Sequence, residues 1–190
     1  MAGIKVLLVE DDWIIAKEIA YNLQDLGFEV ACGFLWNEKE KRFALYLNVG
    51  YSEDEIKIVR SSVEADKNFY LELIKNGKTF SPISNPQNQS LIKKSNDVFD
   101  VAYFIICPIL PKDGSKGFLF VGTRRTDTSL TEGDQELITI LANQIGQALE
   151  NARLFEKIWH SQQELEKKVE ERTRALTLAL DEVRAISKRK

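Results

Sequence analysis

The stretch AYFIICPILPKDGSKGFLFVGT, residues 102–123, is the part of the sequence that most clearly indicates the fold. It contains two apolar runs, 102–110 and 117–123, which are rich in the β-branched and aromatic residues typical of strands. The connection between them includes Asp113-Gly114, a pair that favours a tight hairpin turn. The sequence therefore predicts an antiparallel hairpin here, and an antiparallel sheet to which the hairpin belongs.

The segment after this hairpin predicts a long helix. Thr131 and Asp134 have the spacing of a helix-starting capping box. Apolar residues then recur with the period of a buried helix face at Leu137, Leu141, Ile145 and Leu149. Because no Gly or Pro follows Gly146, one helix can run from Thr131 to near Ser187, which at 1.5 Å per residue is about 85 Å.

The residues before the hairpin predict two more strands and a helical connection. Residues 28–49 alternate apolar and other side chains around the charged turn 37–41. The alternating positions are Val30, Cys32, Phe34 and Trp36 on the first strand, and Phe43, Leu45, Leu47 and Val49 on the second. Residues 52–96 are rich in helical patterns, interrupted by Gly77 and by the loop 81–88.

The first residues of the chain predict one strand and one helix. The run from Ile4 to Val9 is apolar and β-branched, as in a strand that is buried on both faces. The helix predicted from Trp13 to Leu26 ends at Gly27, a residue that commonly caps helices. We expect this helix to pack on the sheet, and the strand to pair with a sheet edge or with its equivalent in a dimer.

Composition excludes several classes of protein. The chain has 190 residues, 44% of them hydrophobic, and a formal net charge of −3, which gives no reason to expect a nucleic-acid or membrane-surface partner. Two cysteines are too few for a disulfide framework or a cysteine zinc site. The longest apolar stretch, 101–110, is half a membrane span and contains Pro108. We expect a cytoplasmic protein without a secretory leader.

The end of the chain predicts a parallel homodimer, because a long helix with an exposed apolar row needs a partner. A heptad register places Val169, Leu176 and Val183 at one core position, and Leu165, Arg172, Ala179 and Ile186 at the other. The expected dimer interface therefore consists of Leu165, Val169, Leu176, Ala179, Val183 and Ile186. The alternative is a single solvated helix.

Residues 28–157 resemble a GAF domain, a cytoplasmic sensor module built on an antiparallel sheet. The resemblance rests on the opening hairpin 30–49, the turn Asn76-Gly77-Lys78, the stretch from Cys107 to Val121, and above all the helix that begins LTEGDQEL at residues 130–137. It implies an α/β (α+β) fold, an antiparallel sheet flanked by helices. GAF domains bind diverse small molecules or none, so the resemblance leaves the ligand unknown and indicates no cofactor.

Two further resemblances place the module in two-component signalling. The tail from Leu165 to Leu176 is similar to the helical linker that precedes the phosphotransfer domain of sensor histidine kinases. Residues 1–27 resemble the opening of a response-regulator receiver, as a strand-helix stub. The chain is thus expected to comprise a receiver-like stub (1–27), a GAF-like sensor domain (28–157) and a coiled-coil signalling helix (158–190).

These resemblances imply a non-catalytic sensory module that relays a change of state through a dimeric coiled coil to a histidine kinase or another output domain. One alternative is a ligand-free dimerisation scaffold. Another is a regulatory fragment of a sensor histidine kinase whose catalytic domain lies elsewhere. No Gly-rich phosphate loop, catalytic triad or metal-spaced cluster occurs, so no catalytic residue and no enzyme activity of this chain are expected.

Few residues offer candidate chemistry. Glu10, Asp11 and Asp12 could hold Mg²⁺, although acids also suit the first turn of a helix, and the third carboxylate of a receiver site has no counterpart. His160, the single histidine, lacks the flanking pattern of a phosphohistidine and is expected to be an exposed linker residue.

The GAF-like region offers little support for three other ligand classes. Cys107 could anchor a bilin, but it has no histidine beside it, and a small buried side chain is the simpler interpretation. Haem ligation is disfavoured because the single histidine lies in the helical tail. The segment 96–100, NDVFD, only partly matches the signature of cyclic-nucleotide-binding GAF domains.

Overall fold

The computed structural model describes residues 23, 26–112, 114, 116–127 and 130–187; within 181–187 only the side chain of Arg184 is described. The elements in chain order are β1 Val30–Asn37, β2 Arg42–Val49, α1 Glu53–Ala65, α2 Lys67–Asn76, α3 Gln89–Phe99, β3 Tyr103–Ile109, β4 Gly117–Thr123 and α4 Glu132–Ser187. The chain divides into two compact units, Met1–Gln147 and Ala148–Lys190.

The four strands form one antiparallel sheet in the order β2-β1-β4-β3. The predicted hairpin is confirmed: β3 and β4 pair from Tyr103 opposite Thr123 to Ile109 opposite Gly117. The predicted hairpin of β1 and β2 is also confirmed. β1 lies beside β4 in the sheet, so the two hairpins share a continuous ladder.

One face of the sheet packs against α1, α2 and α3. The alternating residues of β1 that were expected to face one side, Val30, Cys32, Phe34 and Trp36, all belong to this core or pack against it. Aromatic rings dominate its centre. Phe118 stacks on Tyr70 at a centroid distance of 4.7 Å, and Phe99 stacks on Phe120 at 3.6 Å.

The alternation predicted for β2 is interrupted by a β-bulge. Gly33 pairs with Leu47 but the next residue of β1, Phe34, pairs with Leu45, so Tyr46 is an extra residue in β2. Successive residues of β1 face opposite sides, and Leu47 therefore lies on the opposite face of the sheet from Leu45. The prediction that all four apolar residues of β2 share one face was wrong for this reason.

The start of α4 has the predicted capping box. The Thr131 hydroxyl accepts from the Asp134 backbone N–H at 3.2 Å, and the Asp134 carboxylate accepts from the Thr131 backbone N–H at 2.8 Å. The buried face differs by one position from the prediction, because Leu137 is 46% exposed whereas Ile138 is fully buried. The buried residues in the first turns are Ile138, Leu141, Ala142 and Ile145.

The N-terminal stub lies almost entirely outside the described residues, including the strand from Ile4 to Val9. Leu23 is helical and buried, and its carbonyl accepts from the Phe28 N–H at 3.0 Å. Gly27 adopts φ 84°, which together with that hydrogen bond is the Schellman pattern of a helix end. Among the helices described, none has both the length and the apolar composition needed to span a bilayer.

The cap of α1 gives a stability prediction with a defined pH dependence. The Ser52 hydroxyl accepts from the Glu55 N–H, and the Glu55 carboxylate accepts from the Ser52 N–H at 2.7 Å. We expect Ser52→Ala to lower the free energy of unfolding by about 1 kcal/mol in urea titrations at pH 7. Ser61→Ala, on the exposed side of the same helix, is the control and should change it little.

Acid should reduce the difference in free energy of unfolding between Ser52→Ala and wild type. Hydrogen bonds from Ser52 lower the pKa of Glu55 in the folded chain. A lowered folded pKa contributes stability above the unfolded value of about 4.3 and loses it as pH falls through the folded pKa. A difference that is as large at pH 2 as at pH 7 would contradict the role assigned to Glu55.

Candidate functional site

A groove of about 470 Å³ lies between α2, the loop 77–88 and the start of α3. Its walls combine apolar and polar side chains. The apolar ones are Phe69, Leu73, Phe80 and Leu91, and the polar ones are Glu72, Asn76, Lys78, Thr79, Asn85 and Asn88. Such a lining suits a small amphiphilic molecule, since the rings can bury its apolar part while amides and charges orient its polar part.

One polar atom at this groove is unsatisfied. The Asn85 side-chain oxygen is buried and has no hydrogen-bond donor among the described residues. The backbone of Asn85 is by contrast fixed, because its N–H donates to Ser81 O and its carbonyl accepts from Asn88 N–H. A buried acceptor without a donor is unfavourable, but this oxygen has no exposed surface, so a ligand in the groove would reach it only if the side chain turned outward.

The loop beside the groove is anchored to the sheet. Phe80 forms an isolated antiparallel bridge with Ile106 on β3, with backbone N···O distances of 2.9 and 2.8 Å. Its ring packs between Phe69 of α2 and Phe104 of β3, at centroid distances of 5.8 and 5.7 Å. The groove wall is therefore continuous with the core of the domain.

Polar side chains connect the same loop to the start of α4. The hydroxyls of Ser81 and Ser84 both donate to the side-chain oxygen of Gln135, the first at 2.8 Å. Ser81 is fully buried. This cluster of three side chains, Ser81, Ser84 and Gln135, is the serine–glutamine link.

A second polar contact lies next to this link. The Thr79 and Thr139 hydroxyls are 3.3 Å apart, and the Cys107 sulfur lies 3.4 Å from Thr79. The Thr139 hydroxyl also donates to the carbonyl of Gln135 at 2.7 Å. The loop, β3 and the first turns of α4 thus meet through hydroxyls instead of apolar contact alone.

The region between the sheet and helices α1–α3 is occupied by the protein's own rings. Besides the stack on Tyr70, Phe118 lies 5.2 Å from Phe34 and 5.4 Å from Phe43, measured between ring centroids. A ligand that entered this layer would have to displace these side chains. The groove at the loop is accessible without that displacement.

The structure also places the candidate residues that were weighed from the sequence. Cys107 is buried on β3, and burial raises the pKa of its thiol although Thr79 and Thr139 oppose this. His160 is exposed on α4, with its nearest carboxylate, Glu156, 4.0 Å away. The segment 96–100 ends α3: Phe99 is buried in the core, and Asp100 adopts φ 50° as the helix cap.

The three acids proposed as a cation site, Glu10, Asp11 and Asp12, lie outside the described residues. Within the part of the chain that is described, no group of three or more metal-ligating His, Cys, Asp or Glu side chains occurs. The serine–glutamine link was not predicted, because Gln135 and Ser81 are far apart in the sequence and belong to no motif.

The predicted interface residues of α4 are exposed where they are described. Leu165, Val169 and Leu176 are 62%, 56% and 65% exposed, and Ala179 is exposed as well. The side chains of Val183 and Ile186 lie outside the described residues. An exposed row of this kind is available for a partner, and the dimer itself stays a prediction.

Comparison with known proteins agrees with this architecture. A family model described as a GAF domain matches residues 14–150. Among curated proteins none matches the chain. Similar solved structures include the photoproduct state of GAF3 from Slr1393 of Synechocystis sp. PCC6803, with a TM-score of 0.57 and 12% identity, which covers 77% of this chain and 98% of that one.

Two other solved structures have the same fold. A methyl-accepting chemotaxis protein, residues 122 to 287, has a TM-score of 0.53 and 18% identity, and covers 74% of this chain and 92% of its own. The blue-light-absorbing form of the Thermosynechococcus elongatus PixJ GAF domain has a TM-score of 0.53 and 11% identity, and covers 82% and 96%. At these identities the likeness establishes the fold alone.

Proposed function

The chain belongs to the GAF domain family, and from this membership we propose that it is a non-catalytic sensory module of two-component signalling. In this proposal the groove senses a small amphiphilic molecule or a protein partner, and α4 forms a parallel homodimer that carries the change to a histidine kinase or another output domain. The module works in the cytoplasm, in keeping with its two free, buried cysteines.

The proposal rests mainly on how buried and exposed apolar residues are distributed along α4. A single helix, Glu132–Ser187, has side chains buried in the sensor core in its first turns and exposed apolar side chains farther along. Exposed leucines and valines at a helical period are characteristic of a surface that pairs with another helix. The same helix thus belongs to the sensor and also offers a dimer surface.

The serine–glutamine link supplies the route from the groove to α4. The loop 77–88 provides both the groove wall and the two hydroxyls that bind Gln135. A ligand that repositions Asn85 or Phe80 would therefore alter the hydrogen bonds that hold the first turns of α4. A difference of about 1–3 kcal/mol between two helix arrangements is sufficient for a signal of this kind.

Removing the acceptor of this link tests the relay. Gln135→Ala leaves the buried Ser81 hydroxyl without that acceptor, which should cost about 1–2 kcal/mol of stability. We expect faster amide hydrogen exchange in the loop 77–88 and in the first turns of α4. If the relay operates, the exchange rates of α4 beyond residue 148 should change as well.

Gln144→Ala is the matched control, since it removes the same side chain from an exposed position of the same helix. It should leave exchange in the loop unchanged. If amide hydrogen exchange beyond residue 148 were identical in wild type and Gln135→Ala, the relay would be contradicted. A change confined to the loop would mean that the serine–glutamine link only stabilises the fold.

A second candidate function is a ligand-free dimerisation scaffold, which the ring packing around Phe118 favours because the space between sheet and helices is already filled. A substitution that fills the groove distinguishes the sensor from the scaffold. Asn76→Trp, at an exposed position of the groove wall, should abolish ligand-dependent behaviour of a sensor and leave a scaffold unaffected. The third alternative, a regulatory fragment of a sensor kinase, would respond to groove filling in the same way as the sensor. The chain by itself would then bind no ATP in calorimetry.

A further inference from the structure

Six of the exposed apolar residues of α4 are spaced eleven positions apart in two series, whereas Phe155, Trp159 and Leu178, which are also exposed, belong to neither. Leu154, Leu165 and Leu176 form one series, and Ile158, Val169 and Leu180 form a second series, four residues after the first. All six are between 47% and 65% exposed. We call these six residues the eleven-residue row.

Helix geometry places this row on one narrow face. At 3.6 residues per turn, eleven residues complete about three turns with a remainder of only about 20°. The heptad register predicted from the sequence shares Leu165, Val169 and Leu176 with the row. It differs in requiring Arg172 and Ala179 in the seam and in leaving Leu154 and Leu180 outside.

We propose that the eleven-residue row is the docking surface for a second copy of this chain, aligned in parallel and in register. The seam then follows an eleven-residue period, which gives a straight or slightly right-handed helix pair instead of the left-handed supercoil of a heptad seam. This inference deepens the dimer of the proposed function and rests on it.

The row is suited to a copy of itself. In a parallel, in-register pair each layer brings a residue opposite its own equivalent, so that leucine faces leucine at 154, 165 and 176. Arg172, which a heptad seam would bury as an unpaired cation opposite a second arginine, moves to the border of the seam. The eleven-residue register thereby removes the least favourable residue from the interface.

The charges that flank the row select the parallel alignment. One edge carries Glu166 and Glu170, of which Glu170 is paired with Arg174, whereas the other carries Lys157, Lys168 and Arg172 with a single acid, Glu164, which is paired with Lys168. In parallel pairs opposite edges of the two helices meet, and in antiparallel pairs each edge meets itself. Parallel alignment therefore brings the acidic edge against the basic one.

The surface next to the row can accept a side chain of a partner helix. A shallow depression lies beside Leu165 and Val169, and the small Thr173 forms part of it. Knobs-into-holes packing needs such a depression among neighbouring residues of the facing helix. Glu170 and Arg174, which are bound to each other at 2.6 Å, line the same depression.

Disulfide crosslinking in the intact chain tests the register, because bridging requires Cα atoms within about 7 Å. Single cysteines are introduced as Leu154→Cys and Phe155→Cys, and as Leu180→Cys and Ala179→Cys. The native Cys32 and Cys107 are buried and should not interfere. Gln163→Cys, on the opposite side of the helix, is the background control.

The proposal predicts that Leu154→Cys and Leu180→Cys form covalent dimers several-fold faster than Phe155→Cys and Ala179→Cys. The reverse order would overturn the eleven-residue seam and leave a heptad dimer, so the proposed function would stand. Crosslinks that form only in a mixture of Leu154→Cys with Leu180→Cys would overturn the parallel alignment. No crosslink above background, with a single-chain mass in light scattering, would remove the seam and the dimer together.

Discussion

Replacing Phe118 with alanine is expected to lower the free energy of unfolding by about 3–5 kcal/mol. Phe118 is fully buried and its ring contacts those of Phe34, Phe43 and Tyr70. These rings come from different strands and from α2, so they cannot easily close the cavity that alanine would leave. Urea unfolding followed by circular dichroism measures the change.

Ile58→Ala is the control for this substitution, because Ile58 lies on α1 and is 65% exposed. It should change the free energy of unfolding by less than about 1 kcal/mol. If Phe118→Ala were no more destabilising than Ile58→Ala, the ring cluster would not be the centre of the core, and a ligand cavity in this layer would have to be reconsidered.

Gly50→Ala is expected to have the second-largest effect, about 3 kcal/mol or more, because it combines two unfavourable terms. Gly50 adopts φ 78°, a conformation that costs an alanine about 1–2 kcal/mol. A Cβ atom at this position would also lie 2.1 Å from the carbonyl oxygen of Glu29. That oxygen belongs to the backbone and cannot move without shifting the start of β1.

Gly27→Ala separates the conformational cost of a positive φ from the steric clash. Gly27 has a similar φ of 84°, but a Cβ there would meet no atom within 4 Å. It should therefore show only the conformational cost, and thermal unfolding should place it between wild type and Gly50→Ala. Equal destabilisation by the two substitutions would contradict the steric clash with Glu29.

Local sequence signals were sufficient for most of the fold. The Asp113-Gly114 turn and the Thr131 capping box predicted the β3–β4 hairpin and the start of α4, because each depends on residues that are close in sequence. The bulge at Tyr46 was missed, since the apolar alternation of β2 runs through it without a break. Only the pairing with β1 shows that a residue is left over.

The candidate site was less accessible to sequence reasoning, for a physical reason. The serine–glutamine link joins Ser81 to Gln135 across 54 positions, and nothing local marks these residues as partners. The eleven-residue row consists of residues visible in the sequence, but a heptad pattern fits three of them equally well. All residues from 154 to 180 are exposed in the single chain, so exposure does not distinguish the two registers, and the crosslinking rates are needed for that.

The proposed sensing and the proposed dimerisation place different physical requirements on α4. In its first turns, buried residues such as Ile138 and Ile145 fix it to the sheet. Beyond residue 148, the proposed dimer would bury apolar side chains that gain nothing in water. A second copy would therefore stabilise the helix that the sensor adjusts.

The most direct test of this account is the solution mass of the chain by multi-angle light scattering, with and without residues 159–190. If the chain dimerises through α4, the full chain should have twice the single-chain mass of 21.7 kDa, and the truncated chain should have a single-chain mass. A full chain with the single-chain mass would contradict it. So would a dimer that survives truncation, because the interface would then lie outside the signalling helix.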